Sequence, residues 1–156
     1  MVAITKTLDA NGIKYEVRKH KRAALTCETA ALERGVRVSQ IVKFMIGETE
    51  DGRLIVMLIP GDRMLKTSKA RKFLGARSLN LVSAERLRTE HALVVGAISP
   101  VQFLDEGEFL MDPSVLEEQI VDISSGDPLA GIEIRSVDLT HLLKPAIVEM
   151  VSSKTV

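Results

Sequence analysis

The order of elements legible in this chain predicts an α+β fold, with a mixed, partly barrel-like β-sheet and helices flanking it. Three observations carry that prediction. Two apolar runs, Ile41 to Ile46 and Leu54 to Ile59, flank a loop that ends in Asp51-Gly52, the pattern of a β-hairpin. Both runs are apolar on both faces, so both strands need cover on two sides. Short helical patterns, each with its own start and stop residues, lie before and after the hairpin.

Taken in order, Val2 to Asn11 reads as a helix with Ile4 and Leu8 on one face and Gly12 as its stop. Ile13 to Val17 alternates apolar and charged residues, as a half-buried strand does. Thr26 has the chemistry of an N-cap for a helix ended by Gly35. The hairpin follows and stops at Pro60-Gly61. Thr67 or Ser68 then caps a helix that Gly75 ends, and Ser83 caps another, with Glu85 in its first turn and Leu87 inward. Leu93 to Ile98, Glu108 to Met111, Gln119 to Ile123 and Gly131 to Ile134 read as further strands. Ser136-Val137-Asp138 opens a final helix with Leu139, Leu142 and Leu143 inward, which Pro145 kinks or restarts.

Composition narrows the function classes. The chain has 156 residues, 46% apolar and 27% charged, which suits one folded domain; no repeat or linker divides it. Cys27 is the only cysteine, which excludes an internal disulfide and a thiolate-rich metal site and fits a reducing cytosol. Lys6 follows the first few small and apolar residues and no apolar stretch comes after it, so no signal peptide is expected. The run Leu54 to Ile59 is far too short to span a bilayer. Formal net charge is zero and aromatic residues make up 3%, a poor match to a general RNA-binding surface, which needs excess cations and stacking rings. Brief contact with the end of one RNA remains compatible.

Lys43 is the most informative single residue. It sits inside the apolar run Ile41 to Ile46, where an unpaired ammonium is costly to bury. It must pair with an acid, snorkel to solvent, or line a polar cavity. Gly96-Ala97-Ile98-Ser99-Pro100 is a stiff loop whose backbone N–H groups could hold an oxyanion or a carbonyl; an ordinary turn is the competing reading. Ser124-Ser125-Gly126-Asp127-Pro128 is either a second loop of that kind, with Asp127 as a polar ligand contact, or an Asp-Pro turn. His20, His91 and His141 are scattered without metal-site spacing, so no metal or cofactor is expected. Two basic clusters, Lys14 to Arg22 and Lys66 to Arg77, read as solvated faces, the first with the alternative of touching phosphate. Cys27 beside the Thr26 cap reads as structural. No G-x-S-x-G or phosphate-loop motif supports a covalent serine or nucleotide mechanism.

Several of these segments together resemble the YbaK/prolyl-tRNA editing-domain family: Gln40-Ile-Val-Lys43, Ile59-Pro-Gly-Asp-Arg63 leading to Lys69-Ala-Arg-Lys-Phe-Leu-Gly75, Gly96 to Pro100, and Ile123-Ser-Ser-Gly126 before a strand and Asp138-Leu139. Order and spacing agree from about Thr26 to Leu143. The resemblance implies one aminoacyl-tRNA deacylase domain over residues 1–156, soluble and cytoplasmic, with no cofactor. It implies hydrolysis of the ester between a wrong amino acid and the tRNA 3′ end, with Cys- or Ala-tRNA(Pro) as substrate and prolyl-tRNA synthetase as partner. The chain length suits a free-standing member acting in trans. The family's catalytic lysine falls on Lys43, its Gly-x-x-x-Pro loop on Gly96, Ala97, Ile98, Ser99 and Pro100, and its later small-residue loop on Ser125 and Gly126, with Asp127 beside it as a substrate contact. In that later loop many members carry Asn-Ala-Gly or a nearby histidine, where this chain has Ser124-Ser125-Gly126-Asp127-Pro128. The alternative reading is a non-catalytic binder of an aminoacyl-tRNA end or aminoacyl-nucleotide, docked on a synthetase; a domain with a vestigial pocket is a third.

Overall fold

The computed structural model describes residues 1–152. The expected hairpin is the centre of the molecule: β2 (Val42–Thr49) pairs antiparallel with β3 (Leu54–Pro60), Lys43 opposite Ile59. Around it the helices are α1 (Val2–Ala10), α2 (Cys27–Arg34), α3 (Thr67–Leu74), α4 (Ala84–His91) and α5 (Ser136–Leu143). The remaining strands are β1 (Tyr15–Lys19), β4 (Leu79–Leu81), β5 (Gly107–Met111), β6 (Ile120–Ser124), β7 (Ala130–Arg135) and β8 (Ala146–Ile147).

The class is α+β with mixed pairing, as expected, but the strands divide between two sheets. One is antiparallel, in the order β1-β7-β6; the other is mixed, in the order β4-β2-β3-β5-β8, with β3 and β5 parallel. A parallel bridge between Ile41 and Asp122 joins them, and no closed barrel forms. The main core fills the space between the sheets: Phe44, Ile46, Val56 and Leu58 face Val121, Ile123, Ile132 and Ile134, with α1 and α5 adding Ile4, Leu8 and Leu139. Behind the mixed sheet Ile55, Met57 and Ile59 pack on Ala70 of α3 and on Met150. This two-sided cover explains why β3 is apolar throughout. Ile55 to Ile59 are 0% exposed, and each large side chain buried there contributes about 1.5–3 kcal/mol.

Four local expectations change. Leu93 to Ile98 is not a strand: the N–H of Ala97 donates to the carbonyl of Val94, and Gly96 takes φ 90, so the segment turns. Neither Thr67 nor Ser68 caps α3; Thr67 is its first residue and Lys66 precedes it. Lys144 in the left-handed region ends α5 before Pro145, so the proline neither kinks nor restarts it. Two short strands, β4 and β8, were not legible, and β8 follows what was expected to be the last strand.

Candidate functional site

Period two along β2 places Lys43 and Met45 on one face. Lys43 is half-buried, and its Nζ donates to the carbonyl of Arg63 at 2.7 Å, in the turn that follows β3. Among the described residues no carboxylate forms an ion pair with it; the ammonium lines a cavity of about 260 Å3. The opposite wall is α2. The Thr26 hydroxyl accepts from the N–H of Thr29 and fixes the start of that helix, bringing Thr26, Cys27 and Glu28 to the cavity, while Arg34 reaches it from the last turn. Ile41, Val42 and Phe44 supply apolar wall, and Gly61 lies at the end of β3.

The third wall is the Gly96 loop, and its geometry is specific. A Cβ on Gly96 would lie 2.3 Å from the carbonyl oxygen of Leu25, and φ is 90, so only glycine fits without strain. The Ser124 hydroxyl donates to the carbonyl of Gly96 at 3.1 Å. Ala97 spends its N–H on Val94, and Ser99 donates its N–H to Oε1 of Gln102 at 2.9 Å. The N–H groups of Gly96 and Ile98 meet no acceptor among the described residues, and both residues line the cavity. The structure thus brings together Lys43, Gly96 and Ile98 of the residues singled out in the sequence. It adds Cys27, Glu28, Arg34 and Ser124.

The other singled-out residues do not line the cavity. Ser99 and Pro100 are buried. Ser125 is 2% exposed, and its hydroxyl donates to the carbonyl of Ala130 at 2.6 Å and accepts from the N–H of Asp127. Asp127 Oδ1 accepts from the N–H of Leu129 at 2.9 Å, and Gly126 turns the chain at φ 91. These contacts shape the second loop. They also support the cavity indirectly, because Ser124 at the end of β6 holds the Gly96 carbonyl.

Electrostatics set limits on the chemistry. Burial pushes the Cys27 thiol up, and Lys43, with Arg34, pulls it only partly back. A thiol held protonated at neutral pH is a poor nucleophile. Deeper in, Arg34 Nη1 and Asp122 Oδ1 form an ion pair at 2.7 Å, with side chains 2% and 1% exposed. Burial raises the Asp122 carboxyl above the usual carboxylate range despite the adjacent guanidinium. In the first basic cluster two arginines are paired, Arg18 with Glu133 at 2.6 Å and Arg22 with Glu33 at 2.9 Å. Among the described residues no three His, Cys, Asp or Glu side chains are grouped as metal ligands, and no helix is long and apolar enough to cross a membrane. The signal for α2 was legible in Thr26 and Gly35, but nothing local says that α2 packs on Ile41 and the turn at 38–40, and that placement is what makes Cys27, Glu28 and Arg34 cavity residues.

A small cavity lined by one lysine, with unpaired backbone N–H groups on its lining residues and, among the described residues, no activated side-chain nucleophile, can hold a carbonyl and admit water to it. The model of the aminoacyl-tRNA editing domain matches residues 21–142, and the chain belongs to that family. It is 34% identical over 76 residues to a proline–tRNA ligase of Thermosipho africanus (strain TCF52B), 49% of this chain and 13% of that protein. The chain therefore spans about an eighth of that relative's length. It is 26% identical over 127 residues to the uncharacterized protein YwhH of Bacillus subtilis (strain 168), 81% of this chain and 80% of that one. A solved structure described as a candidate trans-editing enzyme for prolyl tRNA synthetase superposes with a TM-score of 0.85 at 22% identity, over 97% of this chain and 96% of that one, a likeness of fold.

Proposed function

We propose that this chain is a cytoplasmic editing deacylase that hydrolyses mischarged aminoacyl-tRNA, with Cys- or Ala-tRNA(Pro) as its substrate and prolyl-tRNA synthetase as the enzyme whose errors it clears. The observation that carries this reading is one cavity of about 260 Å3 lined together by Lys43, Gly96 and Ile98, where the N–H groups of Gly96 and Ile98 have no acceptor among the described residues. That volume lies below the usual range of about 300–1,000 Å3 for sites that enclose a whole small molecule. It suits an aminoacyl group and the adjoining ribose edge, with the rest of the RNA outside.

The chemistry asks little of the side chains. An aminoacyl ester is already activated, so a held water can add to the carbonyl carbon without a protein nucleophile. The negative charge that develops on the carbonyl oxygen is stabilised by the Gly96 and Ile98 N–H groups. The C–O bond to the ribose then breaks, giving the free amino acid and a free terminal hydroxyl. Lys43 keeps two N–H donors beyond the one spent on Arg63, and these orient the carbonyl or the adjoining ribose. Ala97 and Ser99 support the loop, and Pro100, Ser125, Gly126 and Asp127 hold the two loops that frame the substrate. Size discriminates against proline: one or two extra methylenes in a tight apolar pocket cost about 1–3 kcal/mol each.

The test is ester loss from tRNA(Pro) charged separately with alanine, cysteine, serine and proline. Selective loss of a wrong ester is expected. Lys43→Ala should lower kcat/KM by about 10²-fold, the scale of misplacing the reacting group by about an ångström. Deacylation at a near wild-type rate in that variant would remove Lys43 from the mechanism, and no loss of any ester would favour the non-catalytic binder.

A further inference from the structure

Asp112 is a buried carboxylate that the proposed chemistry does not use. It follows the last residue of β5 and is 2% exposed. Taking a carboxylate out of water is costly unless hydrogen bonds replace the water, so the donors it has gathered are informative. Oδ1 accepts from the N–H and the hydroxyl of Ser114, at 2.9 and 2.5 Å. Oδ2 accepts from the N–H of Met150 at 2.7 Å and of Val151 at 3.2 Å, 38 and 39 residues further on. The first set is local; the second ties down the segment after β8. That segment in turn holds the turn that carries the acceptor of Lys43. Lys66 donates its N–H to the Met150 carbonyl at 2.6 Å, Ser152 donates its N–H to the Met64 carbonyl at 3.0 Å, and Leu65 bridges Val151 antiparallel between them. Arg63, whose carbonyl accepts from Lys43 Nζ at 2.7 Å, is the residue before Met64. The near side of the turn has its own anchors: the Gly61 N–H donates to Ile41 at 2.7 Å and the Arg63 N–H to Pro60 at 3.1 Å. The far side, at 64–66, is the part held by 150–152.

We infer that Asp112 is a positioning residue for Lys43: by pinning the backbone at 150–151 it fixes the far side of the 61–66 turn, and with it the Arg63 carbonyl that holds the Lys43 ammonium. This deepens the deacylase reading and rests on the part given there to Lys43. A lysine side chain is long and rich in rotamers, so a fixed acceptor is what selects one position for its ammonium. An ammonium out of place by about an ångström would cost about 10²-fold in rate, which makes the rigidity of that acceptor matter. The residue type also fits. Two oxygens that only accept serve Ser114 on one side and the 150–151 backbone on the other; an asparagine offers one such oxygen and can serve only one side.

The experiment compares Asp112→Asn with Ser114→Ala, each alone and combined with Lys43→Ala. Ser114→Ala removes a bond to Oδ1 and leaves the Oδ2 side intact. The first readout needs no turnover: the rate at which formaldehyde and cyanoborohydride methylate each lysine of the native protein, followed by mass spectrometry. Asp112→Asn should raise the rate at Lys43 about fivefold, the scale of one lost hydrogen bond. The exposed Lys69 and Lys72 should be unchanged, and Ser114→Ala should leave Lys43 as in the parent. The second readout is kcat/KM for the wrong ester that the parent hydrolyses. Asp112→Asn should lower it by about tenfold, short of the about 10²-fold of a full ångström, and should cost nothing more in the Lys43→Ala background. A merely structural Asp112 would lower activity by the same factor with or without Lys43. That equal loss, or an unchanged methylation rate at Lys43, overturns the inference. If Asp112→Asn does not fold, Val151→Pro, which deletes one N–H to Oδ2 and keeps the carboxylate, takes its place with the same expectations. The two readings fail separately: a protein that hydrolyses no ester loses the deacylase reading, and methylation of Lys43 still decides whether Asp112 positions it.

Discussion

Gly96 concentrates the demands of the site on one residue. It takes φ 90, passes against the Leu25 carbonyl, lines the cavity and gives its own carbonyl to Ser124. Gly96→Ala should therefore destabilise the protein by about 1–3 kcal/mol, from the backbone strain alone, and lower deacylation further by moving the donor. Urea unfolding and a deacylation rate measured at a temperature where the variant is folded separate the two effects. A variant as stable as the parent would show that the loop relaxes. Cys27 allows a pH test. Its folded-state thiol is raised, so the native state holds that proton more tightly than the unfolded chain does. The associated stability is fully present below the unfolded thiol value of about 8.5 and is lost as pH climbs through the higher folded value. Alkylation of native Cys27 by iodoacetamide should accordingly show a midpoint above about 8.5. It should rise further in Lys43→Met, because Lys43 is a cation that pulls the thiol down. A midpoint unmoved by that substitution would mean that the ammonium points elsewhere.

At the scale of elements, two helices offer a matched pair. Thr26 caps α2 and Ser83 caps α4, each accepting a backbone N–H at the helix start. Thr26→Ala and Ser83→Ala should each cost about 1 kcal/mol of stability. Only α2 forms a wall of the cavity, so only Thr26→Ala should also lower kcat/KM for deacylation; equal losses in both would show a general response to destabilisation. These caps were legible because they are local: a side chain and an N–H three residues on. So were the left-handed glycine stops at Gly35 and Gly75 and the apolar hairpin. The strand expected from Leu93 does not form, because Gly96 turns the chain at φ 90. Val94 and Val95 are about half exposed, and the turn closed by Ala97 overrides their propensity. Strands β4 and β8 are two or three residues long, and neighbours far along the chain decide them.

Across the whole molecule, what stayed illegible was long-range pairing. The parallel register of β5 on β3 and the division into two sheets leave no local mark, nor does the packing of α2 on Ile41 that brings it to the cavity. Lys43 was legible because an ammonium in an apolar run needs a reason. Arg34 was not, since a charged residue near a helix end is ordinary until the fold buries it against Asp122. The global charge leads to a last prediction. Lys and Arg number 21 and so do Asp and Glu, and Arg18, Arg22 and Arg34 are already paired with carboxylates. The phosphate backbone of a tRNA should therefore add little to binding, with recognition concentrated at the aminoacyl end. Between about 50 and 200 mM salt, kcat/KM for aminoacyl-tRNA should fall by less than about tenfold, where a protein with six to ten phosphate contacts would lose about 10³–10⁵. A minihelix ending in the same aminoacyl group should be hydrolysed nearly as well as the full tRNA. Steeper salt dependence, or a large preference for the full tRNA, would mean that the unpaired lysines of the two basic clusters form a contact surface for the RNA body, and substrate choice would then rest on the tRNA as much as on the amino acid.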